Sequence, residues 1–184
     1  MARATVFGKA SIDAMHRAAG VKLMIFDIDG VLTDGGLHYG VDGEVLKRFN
    51  VLDGLGIRLL QQSGVPTALI TARQSPILQK RASDLGIAHL FQGVHDKRSA
   101  LAQLLAQVGL SEEHCGYLGD DLIDLPILTR VGFAAAVAGA HTEVKQRVHY
   151  LTEAGGGHGA AREICDLILH AQGNYEAALA PYLT

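Results

Sequence analysis

Two hydrophobic rhythms alternate along the chain, and the switches between them mark out its elements. Short, nearly continuous apolar runs at 23–26, 66–71, 88–91, 115–118, 133–137 and 150–152 read as strands covered on both faces. Between them apolar residues return every three or four positions, as a helix facing a core requires. The clearest stripe, Leu101, Leu104, Leu105 and Val108, predicts a helix that begins near Lys97 and stops at Gly109. Other helices announce themselves by their ends. Ser11 is an N-cap for a leading helix to 19, and Ser75-Pro76 starts a helix closed by Gly86. A helix entered through 50–54 runs to Leu60 and stops at Gly64, short helices fall at 122–129 and 142–148, and a last one spans 160–172. One stretch breaks the alternation: at 37–49 short apolar runs flank Asp42-Gly43, the signature of a β-hairpin. The glycines of 155–159 read as a flexible joint, and the tail to 184 is weakly patterned.

Strands alternating with helices imply an α/β fold, here a three-layer, Rossmann-like parallel sheet with helices on both faces. The hairpin adds a small flap directly after the first strand, and no linker or repeat divides residues 1–184 into more than one domain. Composition narrows this little. An apolar fraction of 48% is ordinary, and a net charge of -3 argues against general nucleic-acid binding. Cys115 and Cys165 lie far apart among apolar neighbours, as buried free thiols in a reducing compartment do. The nine histidines show no metal-binding spacing. No apolar run is long enough to span a bilayer, and the first twenty residues carry Arg3, Lys9 and Arg17 without an apolar core. A cytoplasmic protein without membrane contact is expected.

The candidate chemistry sits at the strand ends, where sheets of this class bind ligands. Asp27 and Asp29 follow the first strand two residues apart, so both carboxylates project to the same side, and Gly30 lets the chain turn away. Paired carboxylates repel unless a cation lies near, and hard divalent cations prefer such oxygens. An Asp-Gly turn alone would explain the same residues. The second of these strand ends offers Thr71 and Arg73, Lys97 stands at the start of the Leu101 helix, and the strand to Leu118 ends in Asp120, Asp121 and Asp124. Singly, Thr71 could merely end a strand, Lys97 could be solvated, and Asp120 or Asp121 could cap a helix. Together they suit metal-assisted phosphoryl transfer through an aspartyl-phosphate, with positive groups neutralising the phosphoryl oxygens.

Asp27-Ile28-Asp29-Gly30-Val31, Thr71, Lys97 and Gly119-Asp120-Asp121-Leu122-Ile123-Asp124 resemble, in order, the four motifs of the haloacid dehalogenase-like phosphatases. The resemblance covers about 21–169. It implies Mg2+ as cofactor, bound by Asp27, the backbone carbonyl of Asp29, and Asp120, with Asp121 further out. It implies Asp27 as nucleophile, Asp29 as general acid and then base, Thr71 as a phosphoryl hydrogen-bond donor, and Lys97 as the electrostatic link between nucleophile and phosphate. Asp124 is expected to orient Lys97 or its loop.

Neither inter-motif gap has room for the cap domain many relatives carry, so the crevice would stand open unless the substrate is large or another subunit closes it. The flap 37–49 and the joint 155–159 are the parts available for closure. In this the chain is similar to the capless sugar-acid phosphatases, and most to the 3-deoxy-D-manno-octulosonate 8-phosphate phosphatase family of lipopolysaccharide synthesis. The motifs concerned are Asp29-Gly30-Val31-Leu32-Thr33-Asp34-Gly35, the stretch 49–57 and the stretch 155–163. The resemblance implies a homotetramer whose flap and C-terminal tail reach neighbouring active sites. It also implies contacts to a phosphorylated sugar acid from Asp29, Lys97, Asn50, Val51, Leu52, Asp53, Gly54, Arg58, Arg73 and Arg81. Guanidinium groups suit the carboxylate of such a substrate, since they can bind it bidentately. A nine-carbon, sialic-acid-type 9-phosphate is the alternative substrate. A catalytically idle tetramerising domain is the other alternative, against which the full set of motif residues argues.

Overall fold

A computed structural model of the chain describes residues 10–183; Arg3 and Lys9 lie outside the described residues. Its elements, in chain order, are α1 (Ile12–Ala19), β1 (Leu23–Phe26), the hairpin strands β2 (His38–Gly40) and β3 (Gly43–Leu46), and α2 (Val51–Gln62). They continue with β4 (Thr67–Ile70), α3 (Pro76–Asp84), β5 (His89–Phe91), α4 (Lys97–Val108) and β6 (Cys115–Gly119). Last come α5 (Leu125–Leu128), β7 (Phe133–Ala136), α6 (Thr142–Lys145), β8 (Tyr150–Leu151), α7 (Ala160–Ala171) and α8 (Tyr175–Leu179).

Six strands form one parallel sheet in the order β5-β4-β1-β6-β7-β8, while β2 and β3 pair only with each other. The α/β reading therefore holds, hairpin included. β1, fully buried along its length, lies in the middle, with β4 and β6 on either side. The connections after β1 run to one side and the connection after β5 returns to the other, which makes the gap between β1 and β6 a topological switch point. Right-handed crossovers put α2 and α3 on one face and α4 to α6 on the other. Helices α1, α2 and α7 pack together, as do α4 and α5.

The caps are where the serines predict them. Ser11 Oγ accepts the Ala14 N–H at 3.0 Å, and Ser75 Oγ that of Leu78 at 3.4 Å. Both cysteines are buried free thiols. The stretch 122–129 is not one helix. Asp121 caps a 3-10 turn, Leu122–Asp124, and α5 follows with Pro126 in its first turn. The tail carries more order than its pattern suggests: α8 and a closing 3-10 turn fold back, and Tyr175 stacks on His170 with ring centroids 3.8 Å apart.

Two further differences bear on the site. The joint 155–159 is packed, not loose. Gly157 donates its N–H to Val31 O at 2.9 Å, and Asn50 Nδ2 reaches Gly157 O at 3.2 Å. A Cβ on Gly156 would lie 1.8 Å from Gly30 O, so glycine is there to let two backbones touch. The stretch 50–54 is likewise no lead-in but a helix start: Asn50 caps α2 through Leu52 N–H at 2.9 Å. Asp53 is buried beneath α7, where its carboxylate accepts the N–H groups of Arg162 at 2.8 Å and Gly159 at 3.4 Å. It is the cap that Gly159, having no side chain, cannot supply. Replacing Asp53 with Ala should lower stability by about 1–2 kcal/mol through loss of this cap. The readout is an earlier denaturation midpoint at unchanged slope; an unmoved midpoint would show that α7 does not depend on it.

Candidate active site

The parallel register of β1 with β6 pairs Phe26 with Leu118, and Asp27 N–H continues it with a 3.0 Å bond to Leu118 O. The strand ends bearing Asp27 and Asp120 are thereby brought side by side. Across from them, capping by Asp96 starts α4 so that its first residue, Lys97, turns inward. The Lys97 side chain is 2% exposed, which rules out a solvated helix start. Its ammonium lies 3.0 Å from Asp27 Oδ1 and 2.6 Å from Asp124 Oδ1, and donates to Tyr117 Oη at 3.1 Å.

Asp124 is fully buried and fully engaged. Besides Lys97, its Oδ1 accepts the Tyr117 hydroxyl at 2.6 Å, while Oδ2 accepts the N–H groups of Asp120 at 2.9 Å and Asp121 at 3.2 Å. It orients both lysine and loop, as expected of it. Asp120 is left differently placed. Its carboxylate lies against Gly30, whose φ of +91° and lack of Cβ make room for it; a Cβ would sit 2.1 Å from Asp120 Oδ2. Its Oδ1 is buried without a hydrogen-bond partner.

Carboxylate oxygens of Asp27, Asp120 and Asp124 all lie within 4.8 Å of one another. Burial first, and then the Asp124 charge, push the Asp27 carboxyl up to about 7 against the pull of Lys97. Burial and the charges of Asp27, Asp124 and Asp121 do the same to Asp120, also to about 7. Burial works against the charge on Lys97, but Asp27 and Asp124 overcome it and raise its pKa. Three carboxylates facing one ammonium leave two negative charges in excess, which one divalent cation neutralises. Since both Asp124 oxygens are committed, the oxygens open to such a cation are those of Asp27 and Asp120.

The other predicted residues divide into two groups. Thr71 is buried at the end of β4, its Oγ1 accepting from Arg73 N at 3.2 Å with the hydroxyl proton still available. Asp29 is held by Lys47 through an ion pair and by Arg73, whose Nε is 3.8 Å from Asp29 Oδ2. Arg73 also hydrogen-bonds Tyr39 and lies over its ring. Arg81 reaches Asn50 O at 3.4 Å and covers the Phe49 ring, with Gly54 buried beneath it. Of the stretch 50–54, Asn50, Asp53 and Gly54 are thus engaged in packing, and Val51 and Leu52 stand exposed. Arg58 is exposed on α2 and takes part in none of these contacts. Tyr117, Tyr39 and Lys47 lie outside the sequence motifs yet join this site. A tyrosine in a strand core is a signal, because its hydroxyl needs a buried partner; nothing marks Lys47 as inward-facing.

A family model described as haloacid dehalogenase-like hydrolase matches residues 67–164. The 3-deoxy-D-manno-octulosonate 8-phosphate phosphatase of Yersinia pestis is 48% identical over 174 residues, 95% of this chain and 93% of that protein. Among solved structures, the phosphatase of that name from Moraxella catarrhalis, in complex with magnesium ion, phosphate ion and KDO, has a TM-score of 0.90 at 40% identity. It covers 94% of this chain and 99% of its own. The cobalt-bound deoxy-D-mannose-octulosonate 8-phosphate phosphatase of Haemophilus influenzae has a TM-score of 0.86 at 43% identity, covering 88% of this chain and 94% of its own.

The raised carboxyls make cation binding depend on pH. Both start from 3.8 and titrate near 7, so without a cation their ionisation costs stability as pH rises through that window. Mg2+ needs them ionised. Its addition should therefore raise the melting temperature more at pH 8 than at pH 5, and Asp120→Asn should remove most of the increment. Equal increments at both pH values would contradict this assignment of the cation site.

Proposed function

The chain belongs to the haloacid dehalogenase-like hydrolases, and on that premise we propose that it is the magnesium-dependent phosphatase of 3-deoxy-D-manno-octulosonate 8-phosphate, releasing phosphate and the free sugar acid. The substrate rests on near full-length similarity to phosphatases of that name. The chemistry rests on one observation, the buried juxtaposition of Asp27, Asp120 and Lys97 at the switch point.

In the first half-reaction, a carboxylate oxygen of Asp27 forms a bond to phosphorus as the bond to the sugar oxygen breaks. The electron pair leaves with that oxygen, which takes a proton from Asp29. In the second, Asp29 accepts a proton from water as the water attacks phosphorus, and the Asp27–phosphorus bond breaks to restore the carboxylate. Lys97 holds Asp27 at a fixed distance and offers charge to the phosphoryl oxygens; Thr71 donates its hydroxyl proton to one of them. Asp27, Asp120 and the Asp29 carbonyl hold the cation, with Asp121 in its outer surroundings. Bound Mg2+ supplies charge neutralisation for the incoming phosphate. Arg73, supported by Arg81, Arg58 and the exposed start of α2, faces the sugar-acid end of the substrate.

Residues 1–184 act as one capless phosphatase domain, and the working unit is a homotetramer. The flap supports this: Tyr39, Val41, Val45 and Leu46 are exposed apolar residues on a hairpin with free edges, a surface suited to a second copy. The tail lies by the far end of α2, where Pro181 and Tyr182 line a cavity together with Gln62 and Ser63, so any crevice it closes belongs to a neighbour. No helix among the described residues is long and apolar enough to cross a membrane. A place in lipopolysaccharide synthesis, in the cytoplasm, fits such a substrate.

Asp27→Asn should fold and keep the wild-type solution mass while phosphate release falls by at least about 10³-fold. A panel of sugar phosphates with Mg2+ tests the substrate: equal turnover of neutral hexose phosphates, or faster turnover of a nine-carbon 9-phosphate, would overturn the assignment. Light scattering tests the tetramer, which a monomeric mass would exclude.

A further inference from the structure

Lys47 occupies an unusual place. It follows β3 on the flap, between Leu46 and Arg48, which are both exposed, yet its own side chain is 2% exposed. Lysines are seldom buried unless paired. This one is clamped between two carboxylates, forming an ion pair with Asp29 Oδ1 and lying 3.0 Å from Glu44 Oε1. Glu44 is itself fixed, because its other oxygen accepts the hydroxyl of Ser75, the N-cap of α3. Ser75 N–H in turn is held by Gln92 Oε1 at 2.9 Å. The second oxygen of Asp29 faces Arg73 Nε at 3.8 Å, and Arg73 is tied to Tyr39 on the same hairpin. Each oxygen of the Asp29 carboxyl thus meets a cation that the flap supplies or steers. Asp27 is held otherwise, by Lys97 and by the sheet.

We infer that Lys47 is a positioning residue for Asp29, through which the seating of the flap governs proton transfer to the leaving group without governing attack on phosphorus. This rests on the reading of Asp29 as general acid. It deepens that reading by dividing the site into a half set by the sheet and a half set by the hairpin. The position of the carboxyl matters because a general acid acts only within hydrogen-bond reach of the oxygen it protonates.

The test separates this role from a merely structural one by the leaving group. A sugar alkoxide must be protonated as it departs, whereas p-nitrophenolate departs without a proton. Both substrates are compared through kcat/KM, which reports steps up to the first irreversible one. In Lys47→Met, kcat/KM for the sugar phosphate should fall by about 10²-fold or more while that for p-nitrophenyl phosphate changes less than about threefold, in line with what a general acid contributes. The ratio is independent of the active fraction, and Lys47→Gln repeats the test with a shorter, neutral hydrogen-bond donor should the methionine variant not fold. Equal losses on both substrates, or no loss on either, would overturn the proposal. Asp29→Asn is the reference. If it too shows no leaving-group selectivity, the acid role of Asp29 fails and takes the proposal with it. If it shows selectivity and the Lys47 variants do not, only the proposal falls.

Discussion

A single buried ammonium holds the centre of this molecule together. Lys97 is removed from water at the end of the sheet, and a charge in that position is tolerable only with close partners. Asp27 and Asp124 provide them, and Tyr117 completes the set. The arrangement then constrains everything nearby. Asp124 can pair with Lys97 only if the loop after β6 curls back, which its other oxygen enforces by gripping two backbone N–H groups. That curl delivers Asp120 to Gly30. Removing Lys97 from such a cluster leaves its buried carboxylates uncompensated, typically at about 3–5 kcal/mol, so the ammonium is also a keystone of stability.

Close backbone approach is the second constraint. The loop after β1 is roofed by the glycine-rich stretch 155–159, and at Gly156 and Gly30 the two segments touch without side chains between them. Asp53 then fastens the start of α7 to α2 from below. The end of the first strand, the start of α2 and the last long helix consequently form one rigid body, although they are distant in sequence. Asp53 and Arg162 lie 109 residues apart. The hairpin stands apart from this body and meets the rest of the molecule through side chains such as Lys47 on Asp29, Tyr39 on Arg73 and Glu44 on Ser75.

Much of this was legible in the chain. Apolar runs located the strands of the sheet, the Leu101 stripe located α4, and Ser11 and Ser75 marked helix starts, because periodicity and capping are local properties. The motif residues could be grouped because parallel sheets gather their strand ends at one edge. What escaped was non-local. A glycine cluster reads the same whether it frees the chain or lets two backbones meet. Asp53 looks like any acidic residue in a first helical turn until α7 arrives above it. Lys47 is hidden for a related reason: a hairpin pattern predicts the turn, but which side chain bends inward depends on where Asp29 and Glu44 lie in space.

The hairpin's separation from the sheet has a consequence for how such a protein can diversify. As strands β2 and β3 pair only with each other and lend no strand to the core, so the segment can be lengthened, shortened or exchanged without rewriting the fold. Heredity and protein engineering alike would find here an interchangeable part. Its freedom stops at the residues that reach toward Asp29, because a transplanted hairpin without Lys47, Glu44 and Tyr39 would leave that carboxylate without its partners from the hairpin. The unit of exchange is therefore the loop together with its inward lysine and the side chains that hold it in place.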